Sequence, residues 1–216
     1  MVKKAKLDGS WQVAPFEAVQ EALRKNQMAV HFAATPEAAR ELALSLIPAG
    51  ASVGLGGSMT LEEIGLVAAV RGGDFRLLDR YRPGLTDAEL RDIFRANFSA
   101  DVFLTSTNAL TAGGELVNKD GRGTRMAAVV YGPDRVIVVA GRNKLVKDVA
   151  AGLKRIEMVA APRNSTRLKV NTPCVQTGRC MDCRSTQRIC CHTVISGFQR
   201  VPDRIHVILV DADLGY

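Results

Sequence analysis

Residues 51–66 read ASVGLGGSMTLEEIGL, and this stretch decides the fold class. Residues 51–55 are short and apolar, which predicts a buried strand. Gly54, Gly56 and Gly57 predict a tight turn after it. A helix is then predicted to start near Ser58 or Thr60, where Thr60-x-x-Glu63 has the form of a capping box. A glycine-rich turn from strand to helix offers backbone N–H groups at the positive end of the helix dipole, a setting suited to an anion. The pattern is not G-x-G-x-x-G, because Met59 stands where the third glycine belongs. Nor is it a P-loop, because no Gly-Lys-Ser/Thr follows. The alternative is a turn that needs glycine for its geometry alone.

The alternation continues on both sides. Upstream, Phe16, Val19 and Leu23 form a helical stripe within residues 15–28. Residues 28–33 predict a strand, and Thr35-Pro36-Glu37 predicts a helix start with a threonine N-cap and proline at the first helical position. Downstream, strands are predicted at 75–78, 101–105, 135–140 and 205–210. A second capping box at Thr86–Glu89 opens a helix to about residue 98. TAGGELVNKDGRGTR (111–125) predicts a hairpin with turns at Gly113-Gly114 and Asp120-Gly121, and residues 124–131 predict a helix. Leu145, Val149, Leu153, Ile156 and Ala160 predict the apolar face of another helix, with the cysteine-rich segment starting after Pro162. The sum is an α/β fold, a parallel-rich sheet with helices on both faces.

Ligands bind such sheets at the carboxyl ends of the strands. Three polar loops, 54–60, 105–108 and 118–125, are therefore expected around one pocket. The candidate ligand-binding residues are Gly56, Gly57, Ser58, Thr60, Thr107, Asn108, Asn118, Lys119, Arg122, Thr124, Asn143 and Lys144. Lys119, Arg122 and Arg125 lie on a glycine-rich loop and can hold a carboxylate or phosphate; a solvated charged turn is the plainer reading. Asn143-Lys144 follows a strand end and can face the same pocket. His31 and His206 sit in apolar strands and read as packed residues.

All five cysteines fall within TPCVQTGRCMDCRSTQRICC (172–191). Cys174, Cys180, Cys183 and Cys190 give the spacing C-x5-C-x2-C-x6-C, in which a C-x2-C turn aims two sulfurs at one point. Thiolates of this kind hold zinc or an iron–sulfur cluster, and the spacing does not choose between them. Cys191 is a reserve ligand, a buried small residue or a reactive thiol, and His192 is the histidine placed to compete as a ligand. The N-terminus has charge but no apolar stretch behind it, so a reducing cytoplasmic setting is expected, in which clustered cysteines favour metal or redox chemistry over disulfides. No apolar run approaches the ~20 residues of a membrane helix.

The formal charge is +7. Eight basic residues against Asp182 and Asp203 give the stretch from Arg163 to Arg204 a net +6. They interleave with cysteines and not with stacking aromatics, so a role beside a thiolate-bound metal is favoured over a nucleic-acid surface.

GLGGSMTLEEIGL (54–66), LTSTNALTAGGELVNKDGRGTRMAAVVYGPDRVIVVAGRNKLV (104–146) and AAPRNS (160–165) resemble the LUD domain of lactate-utilization proteins. The tail TPCVQTGRCMDCRSTQRIC is similar to that of stand-alone members with their own cysteine cluster. The resemblance implies a fold like that of the NagB/RpiA/CoA-transferase superfamily. Its implied division is an arm at 1–14, the LUD α/β domain at 15–165, a cysteine-rich metal-binding segment at 166–204 and a strand returning to the sheet at 205–216. It also implies oxidation of lactate within a multi-subunit iron–sulfur system. The expected cofactor is a [4Fe-4S] cluster, with zinc as the alternative. The expected partners are a small organic acid or other small anion, electron-transfer subunits and a second copy of the chain. Superfamily isomerases carry an aspartate where Asn108 stands here, and Asn108 cannot titrate. A transferase would need a glutamate nucleophile, for which Glu115 is the nearby candidate, although turn placement suits it better. A non-redox ligand-binding or regulatory protein stapled by structural zinc is the other reading.

Overall fold

The computed structural model describes residues 15–216; the arm expected at residues 1–14, Trp11 included, lies outside them. The chain runs α1 (Phe16–Lys25), β1 (Ala29–Ala33), α2 (Pro36–Ser45), β2 (Ser52–Leu55), α3 (Met59–Glu63), α4 (Leu66–Gly72), β3 (Arg76–Leu78), α5 (Asp87–Ala96), β4 (Val102–Ser106), β5 (Ala109–Thr111), β6 (Leu116–Asp120), α6 (Thr124–Val130), β7 (Arg135–Gly141), β8 (Leu145–Val146), α7 (Val149–Arg155), a π-helical turn (Ile156–Ala160), α8 (Ala161–Arg167), α9 (Pro173–Thr177), β9 (His192–Ser196) and β10 (Ile205–Val210).

Six strands form one parallel sheet in the order β1-β10-β7-β4-β2-β3. Its inner strands are apolar on both faces, as strands covered on both sides must be. Ile137, Val139, Ile208 and Val210 pack with Ala39 and Ala43 of α2 and with Leu61, Leu66 and Val67 of α3 and α4. Val136, Val138, Val207 and Leu209 face Val19 and Leu23 of α1 and Met126 and Val129 of α6. A second sheet, β8-β5-β6-β9, lies on that side, and α7 and the π turn cover its outer face, with Val149, Leu153 and Ile156 packed on Ala109 and Val117. The α/β class, the parallel-rich sheet and the two helical faces are those expected.

Local signals in the sequence hold at several places. The hydroxyl of Thr35 accepts the amide of Ala38, and Thr86 and Glu89 form a complete capping box. The predicted hairpin is β5–β6. Three expectations need correction. Of the two helix starts expected for α3, Ser58 is the cap, accepting the amide of Leu61 at 3.3 Å, and the capping box read at Thr60–Glu63 is the part that fails. Thr60 is buried inside that helix and donates to the Leu214 carbonyl, while the carboxylate of Glu63 accepts the amide of Gly215, so no capping box forms there. Leu145 is not helical: it pairs with Leu110 in the second sheet, and the helix begins only after Asp148, which accepts the amide of Ala151. The helix also runs on past Pro162 to Arg167, through a widened π turn placed just before the proline, which has no N–H to donate.

The basic excess of the stretch from Arg163 to Arg204 is partly structural. Arg204 donates to the carbonyls of Ala128, Val129 and Pro133, closing the carboxyl end of α6. Among the described residues no helix is long and apolar enough to cross a membrane.

Two close approaches are testable. A Cβ at Gly54 would meet Asn97 Oδ1 at 2.5 Å and Phe103 Cδ2 at 2.9 Å, because β2 presses its backbone on β4 and the end of α5. Gly54→Ala should destabilise by about 1–3 kcal/mol, measured as a lowered Tm. His31 Nε2 and His206 Nδ1 lie 3.0 Å apart with their rings stacked. Burial, then the Arg135 guanidinium and His31, hold His206 down to about 4. An unfolded histidine titrates near 6.5, so between these values the unfolded state binds more protons. Stability should be full above about pH 6.5 and fall as the pH drops towards 4. Denaturant titrations of wild type and His206→Phe across that window should show a smaller decline in the variant.

Candidate functional site

A cleft of about 470 Å³ opens at the carboxyl ends of the parallel strands. Its walls come from the turn after β2 (Gly57, Ser58, Met59), Arg80 after β3, Phe94 of α5, the end of β4 and the link after it (Ser106, Thr107, Asn108), the end of β6 and the turn after it (Lys119 to Arg122), the start of α6 (Thr124, Arg125), Lys144 after β7, and one face of the π turn and α8 with the residue after it (Ala160, Asn164, Arg167, Leu168). Ile189 of the cysteine segment and Tyr216 complete it.

Arg125 organises the inner wall. Its Nη1 donates to the Ser106 carbonyl and to Asn118 Oδ1, both at 2.9 Å, and its Nη2 donates to the Lys119 carbonyl at 3.0 Å and Asn108 Oδ1 at 3.3 Å. The carboxylate of Asp120 stands 3.7 Å from Nε. Burial lowers its pKa and Asp120 opposes this. Asn108 and Asn118 clasp each other's strands: the Asn108 amide donates to Asn118 Oδ1, and the Lys119 amide donates to Asn108 Oδ1. Asp120 also caps α6, accepting the amides of Gly123 and Met126.

Lys144 is buried, and its Nζ donates to Ser106 Oγ at 3.0 Å and to the Thr107 carbonyl at 3.1 Å. Burial pushes its pKa well below the ordinary lysine value, and the neighbouring Arg155 and Arg125 push in the same direction. Arg155 is itself held down to about 10 by burial and Arg163; it donates to the backbone carbonyls of Asn143 and Asn108. Towards the mouth, the Arg80 guanidinium lies over the Phe94 ring at 4.8 Å and the Tyr81 ring at 5.4 Å. Among the described residues no carboxylate lies within ion-pair reach of it. Lys119 Nζ is 3.4 Å from Glu157 Oε1, a residue of the π turn.

Eight of the twelve expected residues line the cleft: Gly57, Ser58, Thr107, Asn108, Lys119, Arg122, Thr124 and Lys144. The other four stand behind it. A Cβ on Gly56 would meet Thr105 Oγ1 at 2.6 Å, so this glycine permits close packing. Thr60 and Asn118 are buried in the supporting hydrogen bonds, and Asn143 holds the backbone of Leu214 and Gly215. Sequence reading missed Arg80, Asn164, Arg167 and Tyr216. The strand-end rule could have found Arg80; Asn164 and Arg167 required knowing that the helix continues through Pro162. Glu115 sits at the hairpin turn, where the hydroxyl of Thr111 donates to its carboxylate, and it does not line the cleft.

The cysteine segment is built against this site. β9 pairs with β6, placing His192 opposite Asp120, and the amide of Cys191 donates to the Asp120 carbonyl. The amide of Cys180 donates to the Glu157 carbonyl of the π turn. All five cysteines are free. Cys180 Sγ accepts the amide of Asp182 at 3.4 Å. The Arg188 guanidinium donates to the carbonyls of Cys183 and Cys190 and lies 3.7 Å from Cys190 Sγ. Burial pushes the Cys190 thiol up, and Arg188 opposes this. Among the described residues, no three His, Cys, Asp or Glu side chains are gathered tightly enough to hold a metal. The donor chemistry of Cys180 and Cys190, sulfurs that accept N–H groups in a basic setting, nevertheless fits thiolate ligands.

A family model for the LUD domain matches residues 16–210, nearly the whole described chain. The chain belongs to the LUD-domain family. Among solved structures, a DUF162 family protein from Deinococcus radiodurans is similar over 90 % of this chain and 95 % of its own, at 18 % identity and a TM-score of 0.50. At that identity the likeness shows the fold alone. The eIF2B delta and beta proteins of Chaetomium thermophilum are similar over 53 % and 51 % of this chain, covering 49 % and 42 % of their own chains. They are 21 % and 17 % identical, with TM-scores of 0.33, too low to carry an argument. No curated protein matches the sequence. The LUD-domain match extends through the cysteine segment and β10, so the family's fold includes the strand that wedges between β1 and β7.

Removing the Arg125 guanidinium would strand the Asn118 and Asn108 carbonyls and the Asp120 carboxylate. Arg125→Met should destabilise the LUD domain by about 3–5 kcal/mol. The exposed Arg122→Ala should stay within about 0.5 kcal/mol of wild type. Thermal or denaturant melts of the two variants distinguish these outcomes.

Proposed function

We propose that this LUD-domain protein binds a small organic acid anion in its basic cleft and serves lactate utilization as an iron–sulfur redox component. The family is associated with lactate utilization. The observation that carries the reading is the charge balance: Arg80, Lys119, Arg122, Arg125, Lys144 and Arg167 line the cleft against the single carboxylate of Asp120. A cleft of one sign with low-dielectric walls concentrates the opposite charge. Arg125 is consumed by the framework, which leaves Arg80, Arg122 and Arg167 to receive a carboxylate in the forked geometry guanidinium groups favour.

Cys174, Cys180, Cys183 and Cys190 would hold the cluster, which when bound supplies one-electron transfer. Its support is the adjacency of the two regions, since Ile189 lines the cleft and the neighbouring Cys190 thiol lies within electrostatic reach of Lys119. A reducing cytoplasmic setting, electron-transfer subunits and self-association accord with this role. Asn108 spends its side chain on Lys119 and Arg125, and Glu115 lies away from the cleft, so isomerase and transferase chemistry gain no support from the site.

Calorimetric titration should show lactate or pyruvate binding that weakens with salt. Arg80→Ala should reduce affinity by about 10- to 100-fold, since hydrogen bonds to charged groups are worth about 1.5–3 kcal/mol. Failure of both acids to bind would sink the cleft reading. Anaerobic purification with iron, sulfide and zinc analysis, against a Cys180→Ser control, tests the cluster: stoichiometric sulfide supports it, and one tight zinc makes the segment structural.

A further inference from the structure

Lys144 is out of keeping with the rest of the cleft. A buried ammonium normally has a carboxylate partner, and among the described residues Lys144 has none within ion-pair reach. The acid whose charge acts on it, Glu63, has its carboxylate engaged by the Gly215 amide. The positive charges of Arg155 and Arg125 bear on the amine, and its two hydrogen-bond partners are the Ser106 hydroxyl and the Thr107 carbonyl. A neutral amine satisfies both acceptors with its two N–H groups and keeps a lone pair. Desolvation next to other cations is the environment that makes a lysine nucleophilic at neutral pH.

We propose that Lys144 captures the carbonyl carbon of a small 2-oxo acid as an imine, its carboxylate held by the arginines of the cleft. This rests on the reading of the cleft as an organic-anion site and goes beyond it, from binding to covalent chemistry. The Nζ lone pair attacks the carbonyl carbon and a carbinolamine forms. The carbonyl oxygen then leaves as water, taking one proton from the amine and one from solvent, and a protonated imine remains. The step is reversible and changes no oxidation state, so it needs no co-reactant. Ser106 Oγ, 3.0 Å from Nζ and 3.4 Å from the Thr60 hydroxyl, is placed to carry the proton to the departing oxygen. The class of acid is set by the site: the carbonyl must reach the buried amine while the charge stays with Arg80, Arg122 and Arg167, which suits an acid with its carbonyl beside the carboxylate.

The test is incubation of the wild-type protein with pyruvate and cyanoborohydride near neutral pH, then intact mass and peptide mapping. The expected result is one reduced pyruvate adduct on Lys144 in preference to the exposed lysines, diminished by excess L-lactate, which lacks a carbonyl. Lys144→Arg, which replaces the amine with a guanidinium that has no nucleophilic lone pair, should lose it. Mapping on the wild type keeps the result decisive even if the variant fails to fold. Pyruvate binding by calorimetry without an adduct on Lys144 overturns the imine and leaves the cleft reading intact. An adduct with dihydroxyacetone phosphate but not with pyruvate overturns the assignment of a 2-oxo acid. Absence of binding by either acid overturns both readings.

Discussion

The buried guanidinium of Arg125 is the interaction on which the site depends. β4 of the six-stranded sheet ends at Ser106, Asn108 links it to the second sheet, which presents Asn118, and α6 carries Arg125 in its first turn. From α6, this one side chain donates to the end of β4, to the β4–β5 link and to β6 at once. A planar cation with fixed donors enforces a distance and an angle where an apolar contact would enforce only proximity. The cleft therefore has one rigid wall, made by Arg125 and the paired asparagines. Arg80 on its aromatic rings, with Arg167 and Tyr216, also lines the cleft.

The fold was largely legible in the sequence because its inner strands are buried on both faces. Runs such as those at 135–140 and 205–210 have few other uses in a chain of this length. Capping residues located α2 and α5 for the same reason, since Thr35 and Thr86 satisfy backbone groups that have no other partner. What escaped was decided by tertiary context. Leu145 fits a helical stripe as well as it fits a strand, and only β5, contributed by the hairpin, makes it a strand. The site was legible as a set of loops but not as a set of side-chain directions. The strand-end rule placed eight candidates on the cleft, yet nothing local says that Thr60, Asn118 and Asn143 turn inward to hold the framework.

The cysteine segment illustrates how charge counted in sequence divides once folded. The net +6 between Arg163 and Arg204 reads as a basic setting for a thiolate-bound metal. In the structure Arg204 closes a helix end, Arg188 wraps the Cys183–Cys190 turn, and Arg167 belongs to the cleft. The three serve separate purposes, and no polyanion-binding face is needed to account for them. The pairing of β9 with β6 brings the thiols and the cleft into one neighbourhood.

The π turn at Ile156–Ala160 sets the phase of α8 relative to α7. Before it, Gly152 and Arg155 face the second sheet; after it, Asn164, Arg167 and Leu168 face the cleft. Each residue advances an α-helix by about 100°, so the wide turn acts as a rotary offset between a scaffold half and a ligand-facing half. Losing or gaining a residue there would aim a different set of side chains at the ligand while every strand stayed in register. Specificity can thus drift within this architecture by re-indexing a helix, without exchanging any of the residues that build the sheet.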